Sequence, residues 1–260
     1  MRHILLLVIS ATLFACAGAD KDETASYSAK ELYEEAQTAI LSAEFETAVK
    51  HLESLEARYP FDPYAKQAQL DIAYAYYKFE ELDQASSAVE RFARLHPRDP
   101  HMDYVYYLKG LINFNRGQGL LDAWIPRQPS RHDPAVLEQA FNDFAILVRR
   151  YPDSIYAGDS YQRMIYIRNQ LAEKEILIAQ FYIERKSWLS SAKRAKAVSE
   201  RFPNTIWTKD ALDILLLSYQ KLELTELAAD TQKIIDYNDF SDISTTIDPT
   251  KYGKAPASSL

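Results

Sequence analysis

A single cysteine, Cys16, in 260 residues excludes a disulfide framework, because a bridge needs two thiols. The folded part must therefore be held by its core, even in an oxidising compartment. Glycine is also scarce, with six residues. Together with abundant Ala, Leu, Glu, Lys and Gln and no sustained period-two alternation, this favours helix and leaves no expectation of strands. Positive charge is in deficit. The net charge is −7, becoming −8 if Arg2 is removed, which argues against a nucleic-acid partner and against a broad electrostatic grip on anionic lipid. No run is long enough to span a bilayer. The longest apolar stretch, Ile4 to Phe14, is about half of the 20 residues required. Chemistry-bearing motifs are missing too. Gly117-Gln118-Gly119 lacks the strand-before, helix-after setting of a phosphate loop, and there is no nucleophile elbow. His51, His96, His101 and His132 have no metal-ligand spacing and read as solvated turn residues. Glu34/Glu35 and Glu80/Glu81 read as solvated helix ends. No catalytic residue, metal site or cofactor is expected.

The stretch LLLVISATLFAC, Leu5 to Cys16, follows a basic start at Arg2 and His3. A short apolar run with a basic flank and a small residue at Ala15 is a secretory signal pattern. A core helix would show a polar face, and Ile4 to Ile9 shows none. Leu13-Phe14-Ala15-Cys16 resembles a bacterial lipobox, in which the cysteine becomes the first mature residue and is acylated on sulfur. Phe14 is bulkier than usual at its position. Ala17, where Asp would favour retention at the inner membrane, resembles outer-membrane sorting. The competing reading is a free or buried cysteine after an ordinary cleavage site. Stable anchoring takes more than one acyl chain, each buried CH₂ contributing about 0.8 kcal/mol.

Internal repetition is the next signal. Pro60, Pro97, Pro152 and Pro203 each close an amphipathic stretch, at spacings of 37, 55 and 51. Twelve residues before them stand Ala48, Ala85, Ala140 and Ser191; eight before, Leu52, Val89, Phe144 and Ala195; five before, Leu55, Phe92, Leu147 and Val198. These positions form one helical face whose small residue lets a neighbouring helix approach. A second small residue lies twelve earlier at Ala36, Ala73 and Ala179, and a fifth unit places Leu216 twelve before Ala228. Gly110 finds its match at Ala140, eighteen residues late, and the first two proline spacings differ by the same amount. One insertion, Arg116–Asp133, explains both.

The pattern resembles tetratricopeptide repeats, and the expected fold is all-α, a tetratricopeptide-repeat-like superhelix of about five helix pairs. Helices are predicted at 29–42, 46–58, 64–79, 83–95, 101–115, 134–150, 154–171, 172–185, 188–201, 206–221 and 225–237. Ser28-Ala-Lys-Glu31 reads as a capping box. Asp62-Pro63, Asp99-Pro100 and Asp133-Pro134 each read as an N-cap acid before a first-turn proline. The organisation is a signal peptide at 1–15, a lipidated N-terminus and linker at 16–27, N-terminal repeats at 28–115, an insertion at 116–133, C-terminal repeats at 134–237 and a polar tail at 238–260. If flexible, the linker from Ala17 to Tyr27 reaches about 18 Å r.m.s.. Tyr74, Tyr76, Tyr77, Tyr104, Tyr106 and Tyr107 cannot all face one core, since helical neighbours point about 100° apart. Some should line a recognition surface.

Four segments resemble one family. RYPFDPYAKQAQLDIAYAYYK (58–78), ERFARLHPRDPHMDYVYYLKGL (90–111), DPAVLEQAFNDFAILVRRYPDS (133–154) and RMIYIRNQLAEKEILIAQFYIERKSW (163–188) are similar to the BamD lipoproteins of the outer-membrane β-barrel assembly machinery. The likeness runs from the lipobox to the last helix. It implies a non-enzymatic scaffold, lipid-anchored to the outer membrane through Cys16 and facing the periplasm. It further implies C-terminal repeats that hold a POTRA domain of BamA, N-terminal repeats that bind unfolded outer-membrane β-barrel proteins, and other Bam lipoproteins packed alongside. By position, Arg194 matches the family's POTRA contact, with Lys193 and Arg163 placed in the same partner-binding set. Tyr64, Tyr74 and Tyr77 would lie in the substrate-reading half. Two rivals share some of these features: a repeat lipoprotein serving as a secretin pilotin or cell-wall adaptor, and an enzyme carried on a helical superstructure.

Overall fold

The structure is a computed structural model that describes residues 24–116, 133–238 and 240. Cys16, His132, most of the insertion and nearly all of the polar tail lie outside the described residues. Among the described residues there are ten α-helices and no strand: α1 Ala29–Leu41, α2 Phe45–Arg58, α3 Pro63–Lys78, α4 Leu82–Leu95, α5 Met102–Arg116, α6 Pro134–Arg150, α7 Ala157–Glu184, α8 Trp188–Arg201, α9 Thr208–Lys221 and α10 Thr225–Tyr237. The expected all-α helical-repeat class is the observed one.

The chain divides into two compact units, Met1–Ala68 and Gln69–Leu260, the division falling within α3. In the first unit α1 packs on α2, burying Leu32, Ala36, Ala48, Leu52 and Leu55 completely. In the second unit packing runs from neighbour to neighbour, α4 through α10. That is the pattern of stacked hairpins, in which each repeat touches mainly the next. Its core joins Phe144, Leu147, Met164, Ile167, Ile176, Ala195 and Val198.

The repeat register is the packing register. Every residue five, eight or twelve before the four prolines is buried, as are Ala36, Ala73 and Ala179. Each of those prolines follows a helix end: the C-cap N–H of Tyr59, His96, Tyr151 and Phe202 donates to the carbonyl of Leu55, Phe92, Leu147 and Val198. Gly110 is buried on α5 because α6 leaves no room there. A Cβ at this position would stand 2.4 Å from Phe144 Cε1. Beside it lies a buried polar group, where Asn113 Nδ2 donates to Asp143 Oδ2 at 2.8 Å and Lys109 Nζ sits 3.7 Å from Asp143. Burial pushes the Asp143 carboxyl up, with Lys109 and Asn113 opposing it. In the fifth pair the small position is taken by Leu216, which is half-buried, so α9 offers Leu215 and Ser218 to the interior instead.

Scarce glycine has a cost at the hairpin turns. Ala43, Glu80, Lys186 and Glu223 all have φ between 55° and 64°. Each stands between the helices of a pair. Its N–H donates back to Ile40, Tyr77, Ile183 or Gln220, and the next N–H donates five residues back, to Ala39, Tyr76, Tyr182 or Tyr219. This left-handed closure is the position where glycine is usual, since any Cβ meets the carbonyl there. Glu80→Gly, or Lys186→Gly, is therefore expected to raise stability by about 0.5–1 kcal/mol, read as a higher urea midpoint at unchanged slope.

Two boundary expectations are corrected. The region expected as helices 154–171 and 172–185 is one 28-residue helix, α7. Nothing after its first turn breaks the ladder: from Asp159 to Glu184 there is neither Gly nor Pro, and Leu171, Ala172, Ile176 and Ala179 stay buried across the expected joint. The spacing before Pro203 exceeds the first by 14 (51 against 37); of the two readings it allows between Ser154 and Leu171, an extra or a lengthened helix, the lengthened helix is the one observed. Asp99-Pro100 does not start α5. His101 N–H donates to Asp99 Oδ1 at 2.9 Å in a turn, and the helix opens at Met102. Asp133 does cap α6, accepting from Ala135 N–H, and Ser28 with Glu31 forms the expected box on α1.

Candidate functional site

Three helices of the second unit bring tyrosines together. Tyr74 and Tyr77 are one turn apart on α3, as are Tyr104 and Tyr107 on α5; Tyr156 precedes α7, whose first turns carry Asp159 and Arg163. Spacings of three and four place each pair on one helical face. Tyr107 stacks on Tyr156 with ring centroids 4.7 Å apart. Tyr104 meets the same ring at 5.4 Å. Tyr77 Oη accepts from Asn115 Nδ2 at 3.1 Å. Tyr107 Oη donates to Asp159 Oδ2 at 2.9 Å, and Arg163 Nε donates to the same oxygen at 2.5 Å. The guanidinium of Arg163 also lies 5.2 Å from the ring centre of Phe114.

This arrangement keeps its phenols neutral. Burial first, then Asp159, pushes Tyr107 up to about 12. Burial raises Tyr77 and Tyr104 as well, and Tyr156 with help from Asp103. Arg163 is desolvated, which alone would lower it, but the hydrogen bond and charge of Asp159 outweigh burial and hold the cation. The result is a half-buried surface of aromatic faces around a fixed Asp–Arg pair. Such a surface can stack on and bury apolar side chains while offering polar edges to a backbone.

Of the residues read from sequence, Tyr74 and Tyr77 lie in this cluster. Tyr64 does not. It belongs to the first unit, where it stacks on Tyr33 with centroids 5.0 Å apart, and its N–H donates to Asp62 Oδ1. Lys193 and Arg194 are exposed on α8, with Arg194 Nη1 3.2 Å from Glu175 Oε2 on α7. Arg163, grouped with them by sequence, lies twelve residues before Glu175 on the same helix, about 18 Å along its axis. The structure therefore puts Arg163 with the tyrosines. Near the α7–α8 turn Leu177, Phe181 and Leu189 are exposed, and the Arg185 guanidinium lies 3.4 Å from the centre of the Phe181 ring. On the last helix Leu227, Ile234 and Tyr237 also face outward.

Sequence reasoning missed Tyr156, Asp159 and Asn115. The i,i+4 spacing of Asp159 and Arg163 on a predicted helix was an available signal; no local pattern marks Tyr156 or Asn115. Among the described residues, His96 Nε2 pairs with Gln69 at 3.0 Å, His101 pairs with Asp99 at 3.0 Å, and His51 stacks on Tyr27, its Nδ1 buried without a hydrogen-bond partner. Among the described residues no group of three or more His, Cys, Asp or Glu could hold a metal.

Comparison with known proteins gives a consistent result. The family described as outer membrane lipoprotein, YfiO, matches residues 25–234. The outer membrane protein assembly factor BamD of Neisseria gonorrhoeae is 42% identical over 92% of this chain and 91% of its own length. The protein of the same name from Vibrio cholerae is 36% identical over 90% of this chain and 96% of its own. That of Haemophilus influenzae is 33% identical over 92% and 90%.

Proposed function

Because this chain belongs to the outer membrane lipoprotein family YfiO and to the group of BamD assembly factors, we propose that it is a non-enzymatic scaffold for assembling outer-membrane β-barrel proteins. Cys16 carries the lipid, and the folded units face the periplasm. The N-terminal repeats take up unfolded β-barrel substrates, and the C-terminal repeats hold a POTRA domain of BamA, with other lipoproteins of the complex alongside.

The tyrosine surface of α3, α5 and α7 is the observation that carries the substrate reading. An unfolded barrel strand is extended and alternates apolar with polar residues. Aromatic faces bury the first set weakly and reversibly, and the neutral phenols and the Asp159–Arg163 pair meet the second. Tyr74, Tyr77 and Arg163 act here with Tyr107 and Tyr156, whereas Tyr64, stacked on Tyr33 in the first unit, is not part of this surface. For the partner, support comes from α8 and from the outward apolar residues of α7 and α10. Exposed apolar side chains (Leu177, Phe181, Leu189) and exposed cations (Lys193, Arg194) both occur on α7 and α8, and docking surfaces draw on both kinds of residue.

The test is titration of a labelled unfolded β-strand peptide from a barrel protein against the soluble domain. The double variant Tyr77→Ala, Tyr107→Ala should bind about tenfold more weakly, two aromatic contacts contributing roughly 0.5–1.5 kcal/mol each. Unchanged affinity would remove this surface from substrate binding. In a crosslinked pull-down of the anchored protein, recovery of a secretin in place of a barrel-assembly subunit would overturn the reading as a whole.

A further inference from the structure

Phe61 stands on the loop between α2 and α3 and is 99% exposed, the most exposed large hydrophobic side chain among the described residues. It is not on a floppy tip. Asp62 N–H donates to the Tyr59 carbonyl at 3.1 Å and Ala65 N–H to the Asp62 carbonyl at 2.9 Å; Asp62 Oδ1 accepts from Tyr64 N–H. Pro60 and Pro63 flank the pair and restrict the backbone further. A rigid turn thus holds an aromatic ring in water.

The same loop clasps the chain that comes from the lipid. Arg58 Nη1 donates to the Thr24 carbonyl at 2.8 Å and Nη2 to the Tyr27 carbonyl at 3.3 Å. Tyr59 Oη donates to the Tyr27 carbonyl at 2.9 Å, and the Tyr27 ring stacks on His51. Phe61 follows Tyr59 by two residues, at most about 7 Å of backbone. Only residues 17–23 separate Cys16 from Thr24, and a chain of that length spans at most about 28 Å. The clasp therefore ties the lipid attachment point to the neighbourhood of this ring.

We propose that Phe61 is a second, non-covalent membrane contact: its ring enters the interface of the bilayer that holds the Cys16 lipid and fixes how the first unit is presented to the membrane. This rests on the lipid-anchor reading of Cys16. The occupant is a lipid surface because of that tether length, and the contact is made by apolar burial. Arg58 is engaged with backbone carbonyls and Asp62 with the turn, so the loop offers no basic cluster for anionic headgroups.

The experiment uses the full lipoprotein reconstituted in phosphatidylcholine vesicles, with an environment-sensitive dye on Phe61→Cys and, as reference, on Leu41→Cys. Leu41 is also exposed but ends α1, about 20 Å from the clasped end of the helix. The expected result is that dye at 61 shifts to the blue and loses most of its emission to doxyl-labelled lipid, at low and high salt alike, while dye at 41 stays wet. Protein that floats with vesicles but keeps a wet dye at 61 overturns the proposal and leaves the anchor standing. Protein that does not float, or in which Cys16 itself takes the dye, overturns the anchor and this contact with it. A dye at 61 that dries only when an unfolded β-barrel segment is added assigns the loop to polypeptide and also overturns the proposal.

Discussion

If α8 docks the POTRA domain as proposed, Arg194→Glu is expected to weaken binding to that isolated domain by roughly 30-fold or more, because truncating or reversing one member of an interfacial charge pair costs about 2–5 kcal/mol. The fold will survive. Arg194 is exposed, and Glu175 on the neighbouring helix lies 3.2 Å from its guanidinium. An exposed pair of this kind contributes about 1 kcal/mol or less to stability. Since loss of binding could follow from loss of the α7–α8 contact, the swap Arg194→Glu, Glu175→Arg is the informative companion. It restores the internal pair with its sign reversed and places an anion where the proposed partner would meet a cation. Isothermal titration should then show full helicity and no recovered affinity. Recovery in the swap would mean that Arg194 acts by holding α8 against α7, and wild-type affinity in Arg194→Glu would remove it from the interface altogether.

The second large effect is expected in the core. Gly110→Ala should destabilise the protein by about 1–2 kcal/mol, although alanine is the better helix former by roughly 1 kcal/mol. The new Cβ would stand 2.4, 2.6 and 2.7 Å from Cε1, Cδ1 and Cζ of Phe144. Phe144 is fully buried, so its ring cannot swing away without moving α6, and overpacking of this kind costs about 1–3 kcal/mol. The clash wins over propensity only if the ring is the obstacle. Phe144→Leu shortens that side chain, and the double variant Gly110→Ala, Phe144→Leu should be more stable than the two single effects predict, by about 0.5–3 kcal/mol of coupling. Urea denaturation of the four proteins measures it. Strict additivity would show that Gly110 is small for another reason.

Gly110 also illustrates what was legible. Its distance from Ala140 in the chain flagged both the helix contact and the insertion, because a helical repeat converts sequence spacing directly into position on a face. For the same reason the buried small and apolar positions, the proline-terminated helices and the Asp133 and Ser28 caps could be read without coordinates: each depends on residues within four or five of one another. The joint expected near residue 171 is absent; the excess spacing allowed a lengthened helix, but helix continuity is a matter of what fails to interrupt it, and a repeat period cannot choose between one long helix and two.

The candidate site divides along the same line. Local sequence determined that this chain is helical, held together without disulfides and rich in tyrosines that cannot all be buried. Only the tertiary structure decided which tyrosines meet. Asn115 meets Tyr77 across 38 residues of chain, and Tyr156 and Asp159 meet Tyr107 across 49 and 52; Arg163 moves to that group, while Tyr64 falls in the other unit. Spacing along one helix fixes angles around that helix, whereas a surface shared by three helices depends on how each leans on the next, and that is set by core packing far from the residues that line it.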